Sequence, residues 1–271
     1  MSADFTIKDL SLSDTHYFGF DIQGHSSPLS SAKTCVTIAV SILIYPSTDI
    51  NSANTKTDRQ IDNKPLLAKV QKHAVRKLLF QLIFEKIKDG VFTYVECNHV
   101  DLLKVSSLRL VQSSYPYRLL PFNYYVCFTH SANKVACAIH IKQIIGIDLE
   151  INPVSMKVAQ RYYTLEEKSW LSKLDNDRLP QALNLLWQLK EASIKQTKAN
   201  NVNLLSGLKE SKLFAAKKLM LKSAKNQDRT TNISIINKQI TPKIYHYQDL
   251  KNPENITTYV YIPAKKLVAI W

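Results

Sequence analysis

The sequence predicts an α+β fold built from two similar units. A run rich in β-branched residues, Cys35-Val36-Thr37-Ile38-Ala39-Val40-Ser41-Ile42-Leu43-Ile44-Tyr45, has the composition of a strand. Behind it, Leu66, Leu67, Val70, Ala74, Leu78, Leu79, Leu82 and Ile83 recur at helical spacing. The order strand, helix, several strands then returns in the second half of the chain, as it would in two α+β units. We place the division between residues 142 and 143.

The elements follow in order. Residues 1–30 are mixed and polar and predict none. Residues 46–63 are a loop of Ser, Asn, Asp and Thr, and the helix spans residues 65–86. On one flank of that helix, Lys69, Lys72, His73 and Arg76 lie near one another at spacings of three and four. Residues 91–97 have a strand pattern. Residues 109–122 have an aromatic loop pattern that includes Tyr115-Pro116-Tyr117-Arg118. Strands are expected at 124–129, 135–141 and 144–150, the first two joined by the polar connection His130-Ser131-Ala132-Asn133. Asn152-Pro153 breaks the third. A helical segment covers 155–163, and Thr164 with Glu167 has capping-box spacing for the next helix. Arg178-Leu179-Pro180 leads into a helix ending near Lys198. The lysines between 208 and 225 fit either an amphipathic helix with a basic face or a basic loop. Strands close the chain at 233–236, 244–247, 257–262 and 266–270.

Composition narrows the function. A chain of 271 residues with 45% hydrophobic content can bury a large core. Five glycines exclude glycine-rich phosphate loops, and no GxGxxG, GxxxxGK[ST] or HExxH occurs. The four cysteines lack zinc spacing. No run of apolar residues reaches membrane-spanning length and no secretory leader pattern opens the chain, so a cytoplasmic protein without a membrane partner is expected. The formal net charge of +14 favours polyanionic partners: nucleic acid, anionic lipid, polyphosphate ligands or an acidic protein.

The chemistry concentrates between Gly146 and Lys195. In Gly146-Ile147-Asp148-Leu149-Glu150, the two acids are two apart on a strand and share a face. Neighbouring carboxylates repel, which raises a pKa unless a cation sits between them. Oxygen ligands suit magnesium or calcium. In Trp187-Gln188-Leu189-Lys190-Glu191-Ala192-Ser193-Ile194-Lys195, Glu191 and Lys195 share one helix face. Lys190 points about 100° away round the helix.

Taken together, GIDLE, the Tyr163-xxx-Glu167 spacing and WQLKEASIK resemble the signature of the 4′-phosphopantetheinyl transferases of the larger, surfactin-synthetase-activating type. The dense resemblance covers about residues 124–197. It implies a pseudodimer of two α+β halves, residues 1–142 and 143–271, with the cofactor in the cleft between them. It implies transfer of the phosphopantetheine arm of coenzyme A to a serine of an acyl, peptidyl or polyketide apo carrier protein, releasing adenosine 3′,5′-bisphosphate. By the same resemblance, Asp148, Glu150 and Glu191 ligate magnesium, with manganese as a substitute. Glu191 is the candidate base, and Lys195 meets the pyrophosphate and the leaving phosphate. Lys190 lies near the phosphates. Thr129-His130-Ser131 resembles a phosphate-binding turn, and Arg76, helped by Lys72, the helix that binds the 3′-phosphate. Where the family has Gly-Lys-Pro, this chain reads Ser114-Tyr115-Pro116 and keeps the proline alone, so Pro116 is the remaining match to the adenine contact.

An acidic carrier protein suits the +14 charge, and a monomer suits the pseudodimer. A basic nucleic-acid-binding protein and a catalytically silent coenzyme A-binding homologue stand as alternatives. The first offers no reason for three acids in a basic chain.

Overall fold

The computed structural model describes residues 11–21, 35–44, 64–88, 108–197, 208–221, 242–248 and 256–271. Its first sheet contains β1 (Ser11–Phe20), β2 (Val36–Ile44), β3 (Arg109–Val111), β4 (Tyr117–Leu120), β5 (Tyr124–Ser131) and β6 (Lys134–His140), in the order β1-β2-β6-β5-β4-β3. The second contains β7 (Gly146–Leu149), β8 (Lys243–Gln248), β9 (Ile256–Ile262) and β10 (Leu267–Ile270), in the order β7-β10-β9-β8. Every recorded strand pair is antiparallel. The helices are α1 (Lys64–Lys88), α2 (Met156–Tyr162), α3 (Leu165–Leu171), α4 (Leu179–Gln196) and α5 (Leu213–Leu221). The α+β class is as expected, and no helix among the described residues is long and apolar enough to cross a membrane.

The strands of the first sheet are apolar on both faces because both are covered. On β2, Ala39 and Leu43 meet α1, while Val36, Ile38 and Val40 point the other way. On β6, Val135, Cys137 and Ile139 meet α1, while Ala136 and Ala138 face inward. The second sheet mirrors this: Val260, Ile262, Leu267 and Ala269 face the first sheet, and Tyr259, Tyr261, Val268 and Ile270 face α4. The order of layers is helix, sheet, sheet, helix, with the central core between the sheets closed by Phe20 and Trp271, whose ring centroids lie 5.9 Å apart.

Two sequence expectations are corrected and one open alternative is resolved. Residues 11–20, read as featureless, form β1, whose alternation is broken by a register shift between Ser13 and His16. Residues 109–122, read as a loop, contain β3 and β4, short strands whose aromatic and proline content hides any period-two pattern. The lysine-rich segment takes the helical alternative as α5, with Ala215, Ala216 and Leu219 buried and Lys217 and Lys218 exposed. The strands expected at 91–97 and 233–236 lie outside the described residues. The capping box is formed: Thr164 Oγ1 accepts from the Glu167 amide at 3.2 Å, and the Glu167 carboxylate accepts from the Thr164 amide at 2.8 Å.

Gly146 fixes how closely β7 approaches α4. A Cβ there would stand 1.9 Å from the Ala192 carbonyl oxygen and 2.7 Å from the Gln196 amide nitrogen. Both are backbone atoms, so no rotamer change relieves the clash. We expect Gly146→Ala to cost about 1–3 kcal/mol of stability, the usual penalty for overpacking, with urea unfolding as the measurement. A midpoint equal to that of the parent would contradict this.

His140 closes β6 fully buried, its Nδ1 accepting from the Lys142 and Gln143 amides at 3.0 Å each. Burial, with Lys142 nearby, lowers its pKa to about 4 from the ordinary 6.5. The unfolded chain therefore binds a proton that the folded chain refuses between those two values. Stability is complete above pH about 6.5 and declines as pH falls towards 4, by on the order of 3 kcal/mol from this group. The difference in unfolding free energy between the parent and His140→Gln, followed across that range, should show this slope; a flat difference would remove His140 as its source.

Candidate active site

Strand β7 lies at the edge of its sheet: β10 pairs with one side, and the other side faces β5. The backbone donors on that free edge need partners. The odd-numbered side chains of β5 supply them. The Ile147 amide donates to Cys127 Sγ at 3.4 Å, the Leu149 amide to Thr129 Oγ1 at 3.2 Å, and the Ile151 amide to Ser131 Oγ at 3.0 Å. The two hydroxyls then spend their own protons on the acids: Thr129 donates to Asp148 Oδ1 at 3.3 Å and Ser131 to Glu150 Oε1 at 2.7 Å. A hydroxyl both accepts and donates, and here each does both.

Asp148 is nearly buried and Glu150 follows the strand half-exposed. Lys195, reaching in from α4, places Nζ 2.8 Å from Asp148 Oδ1, 3.1 Å from the Ile147 carbonyl oxygen and 3.5 Å from Thr129 Oγ1. Burial works against the Lys195 charge, but Asp148 and the other negative groups prevail and raise its pKa. Glu191, one turn earlier on α4, is shifted the other way from an ordinary acid. Burial raises its pKa first; Lys195 lowers it, and Asp148 and Glu150 raise it further. It is a carboxyl that holds its proton more tightly than usual, in the field of two other acids.

The expected metal set is thus brought into electrostatic contact without forming a cage. Among the described residues no group of three or more His, Cys, Asp and Glu side chains stands in an arrangement able to hold a metal ion. Asp148 is engaged by Lys195, and Glu150 Oε1 also accepts from the Asn152 amide at 3.0 Å. The donor chemistry still fits a hard divalent cation: the ligands are all oxygens, and their mutual repulsion is what such an ion would relieve.

The remaining expected residues lie beside this group and along a row of aromatic rings. His130 is exposed near the end of β5; local burial, then Lys195, lowers its pKa, opposed by Asp148. Pro116 is half-buried, between Tyr115 and Tyr117, whose rings meet edge-on at 5.4 Å. Tyr117 meets Phe128 at 5.9 Å, and the Arg76 guanidinium lies 5.9 Å from the Phe128 ring centroid. Arg76 also donates to the Lys72 carbonyl and to Gln112 Oε1, and burial lowers its pKa. Lys72 is exposed. One residue earlier, Gln71 Nε2 donates to the Ala132 carbonyl at 2.8 Å, joining α1 to the turn between β5 and β6.

Lys190 is a correction. It was expected near the phosphates, but its side chain is fully buried and its ammonium is committed elsewhere. It pairs with Glu167 at 2.9 Å and donates to the carbonyls of Leu208 at 2.9 Å and Glu210 at 2.6 Å, which uses all three of its protons. Glu167, equally buried, adds the Lys212 amide at 2.7 Å to its capping contacts. The pair is a polar hub joining α3, α4 and the segment before α5. Trp187 packs half-buried against Tyr162, with ring centroids 5.8 Å apart.

Sequence reasoning missed two participants. Cys127 was noted only as one of four cysteines without zinc spacing, yet it is the first rung under β7. Tyr115 was read as loop, yet its hydroxyl donates towards the carbonyls of Lys195 and Ile145, the latter at 3.2 Å. The first was discoverable: Cys-x-Thr-x-Ser on one strand puts three hydrogen-bonding side chains on one face.

Residues 144–260 match the profile of the 4'-phosphopantetheinyl transferase superfamily. The chain is also 39% identical over 69 residues to 4'-phosphopantetheinyl transferase Sfp of Bacillus subtilis (strain 168). That match takes in 25% of this chain and spans 30% of the relative's length.

The buried hub makes a prediction independent of catalysis. Lys190→Met leaves the Glu167 charge buried without its partner and should cost about 3–5 kcal/mol in urea unfolding. Adding Glu167→Gln should restore much of this, since the two residues are coupled. If Lys190→Met left stability unchanged, the hub would not have the structural role given to it.

Proposed function

We propose that the chain transfers the 4′-phosphopantetheine arm of coenzyme A to a serine of an acidic apo carrier protein and releases adenosine 3′,5′-bisphosphate, a reading supported by the match of residues 144–260 to the 4'-phosphopantetheinyl transferase superfamily. The observation that carries this reading is the group Asp148, Glu150, Glu191 and Lys195: three acids and one cation converging from β7 and α4. We take residues 1–142 and 143–271 as two halves of a pseudodimer acting as a cytoplasmic monomer, with coenzyme A in the cleft between them.

In this reading Glu191 accepts the proton of the carrier serine. Its raised pKa makes it a stronger base than an ordinary carboxylate. Lys195 brings a positive charge to the pyrophosphate and to the phosphate that leaves. Asp148, Glu150 and Glu191 would hold magnesium, or manganese in its place, and that ion supplies neutralisation of the pyrophosphate charge. Thr129, His130 and Ser131 border the phosphates on one side. Arg76 and Lys72 approach the 3′-phosphate from α1, and Pro116 borders the adenine. Lys190 has no part, because its ammonium is enclosed by Glu167, Leu208 and Glu210. The +14 charge would speed encounter with an acidic carrier.

The test is to incubate the protein with coenzyme A, magnesium and a panel of apo carrier proteins, and to weigh the carriers. A gain of about 340 Da on one of them, the mass of the arm that the cofactor carries, is the expected result. No gain on any carrier would overturn the reading. Glu191→Gln should lower kcat by roughly 100-fold or more, the range for a general base; near-parental turnover would remove it from that role.

A further inference from the structure

Where the resemblance fails, at Ser114-Tyr115-Pro116, the structure assigns Tyr115 a task of its own: we propose that it is a positioning residue that holds Lys195 against Asp148 by tying the end of α4 to the start of β7. The proposal rests on the transferase reading for its kinetic consequence and on geometry for everything else.

Helix α4 ends at Gln196, so the carbonyls of its last turn lack partners within the helix. Ser193 receives the Thr197 amide at 3.0 Å and Ile194 receives the Thr197 hydroxyl at 3.0 Å. The Lys195 carbonyl receives the Tyr115 hydroxyl, from a residue 80 positions away. The same hydroxyl lies 3.2 Å from the Ile145 carbonyl, just before β7, and 3.8 Å from Cys127 Sγ, the first rung beneath that strand. One phenolic oxygen therefore stands where α4, β7 and β5 meet. Its proton goes to one carbonyl at a time, and both lie within its reach.

The backbone it holds carries the reacting groups. Lys195 itself spans the gap from that carbonyl to Asp148, with Nζ at 2.8 Å from Oδ1 and 3.1 Å from the Ile147 carbonyl. If the last turn of α4 shifts, the ammonium shifts with it. The ring is fixed edge-on against Tyr117 at 5.4 Å, so the hydroxyl has a defined origin. A lysine in the same place could also donate to carbonyls, but from a flexible chain; the tyrosine offers its hydroxyl from a ring held against Tyr117.

Tyr115→Phe keeps the ring and removes the hydroxyl. We expect kcat to fall about 10- to 100-fold, the scale of a misplaced reacting group, with the folded fraction at assay temperature unchanged. In a Lys195→Ala background the same substitution should change kcat by less than about twofold, since residues that act as a unit are not additive. Hydrogen exchange in the peptide containing residues 193–197 should quicken in Tyr115→Phe. Parental kcat, or an equal loss in both backgrounds, would overturn the proposal. If the parent protein modifies no carrier at all, the transferase reading falls, and the exchange measurement decides alone: unchanged exchange in Tyr115→Phe rejects the brace, and faster exchange supports it.

Discussion

An edge strand needs its backbone satisfied, and the way β7 meets that need determines most of what surrounds it. A second strand could have supplied the partners. Instead, three side chains of β5 do, one from every second residue, so that two sheets face each other while a line of side-chain hydrogen bonds joins them at the margin. Such bonds are individually worth about 1 kcal/mol, but an unmet buried donor costs more. The register between β5 and β7 is fixed accordingly: a slip by one residue would present Phe128 and His130 to the amides in place of Thr129 and Ser131. Because the same hydroxyls also hold Asp148 and Glu150, the register of the backbone and the placement of the acids are one choice.

The charges in the site follow from that placement. Three carboxylates cannot share a partly buried space with all charges uncompensated. In the structure the compensation comes in two forms. Lys195 takes Asp148, and Glu191 responds with a raised pKa. Glu150, half-exposed, is held by a hydroxyl and an amide. Burial first, with Asp148 and Glu150 behind it, keeps Glu191 from giving up its proton as an exposed acid would, against the pull of Lys195.

Much of this was legible in the chain before its fold was known. The two long helices, the capping box and the strands around GIDLE followed from periodicity and from residues with a local role, and they lie where expected. Strands β1, β3 and β4 were not legible. A register shift breaks the alternation of the first, and the other two are too short to display any. The site divides in the same way. Spacing alone put Asp148 with Glu150 on one strand face and Glu191 with Lys195 on one helix face; that the two pairs belong to one site was implied only by the resemblance of GIDLE and WQLKEASIK. The burial of Lys190 was not, because a helical wheel gives the direction of a side chain and says nothing of what covers it. Tyr115 was beyond reach for a related reason: its partner lies in another half of the sequence, and no local pattern announces a contact across 80 positions.

The link between Gln71 and the Ala132 carbonyl has a consequence for affinity. Gln71 sits on the helix that carries Lys72 and Arg76, and Ala132 follows directly on His130 and Ser131. The link joins two segments from distant parts of the chain, the one with Lys72 and Arg76 and the one with His130 and Ser131, into one fixed frame. A flexible pair would have to be ordered at the moment of binding, and that loss of freedom would count against the complex. Here the ordering is completed during folding. On the proposed reading, a ligand that touches both segments would meet a preset separation, and analogues would be ranked by how well their charges match it.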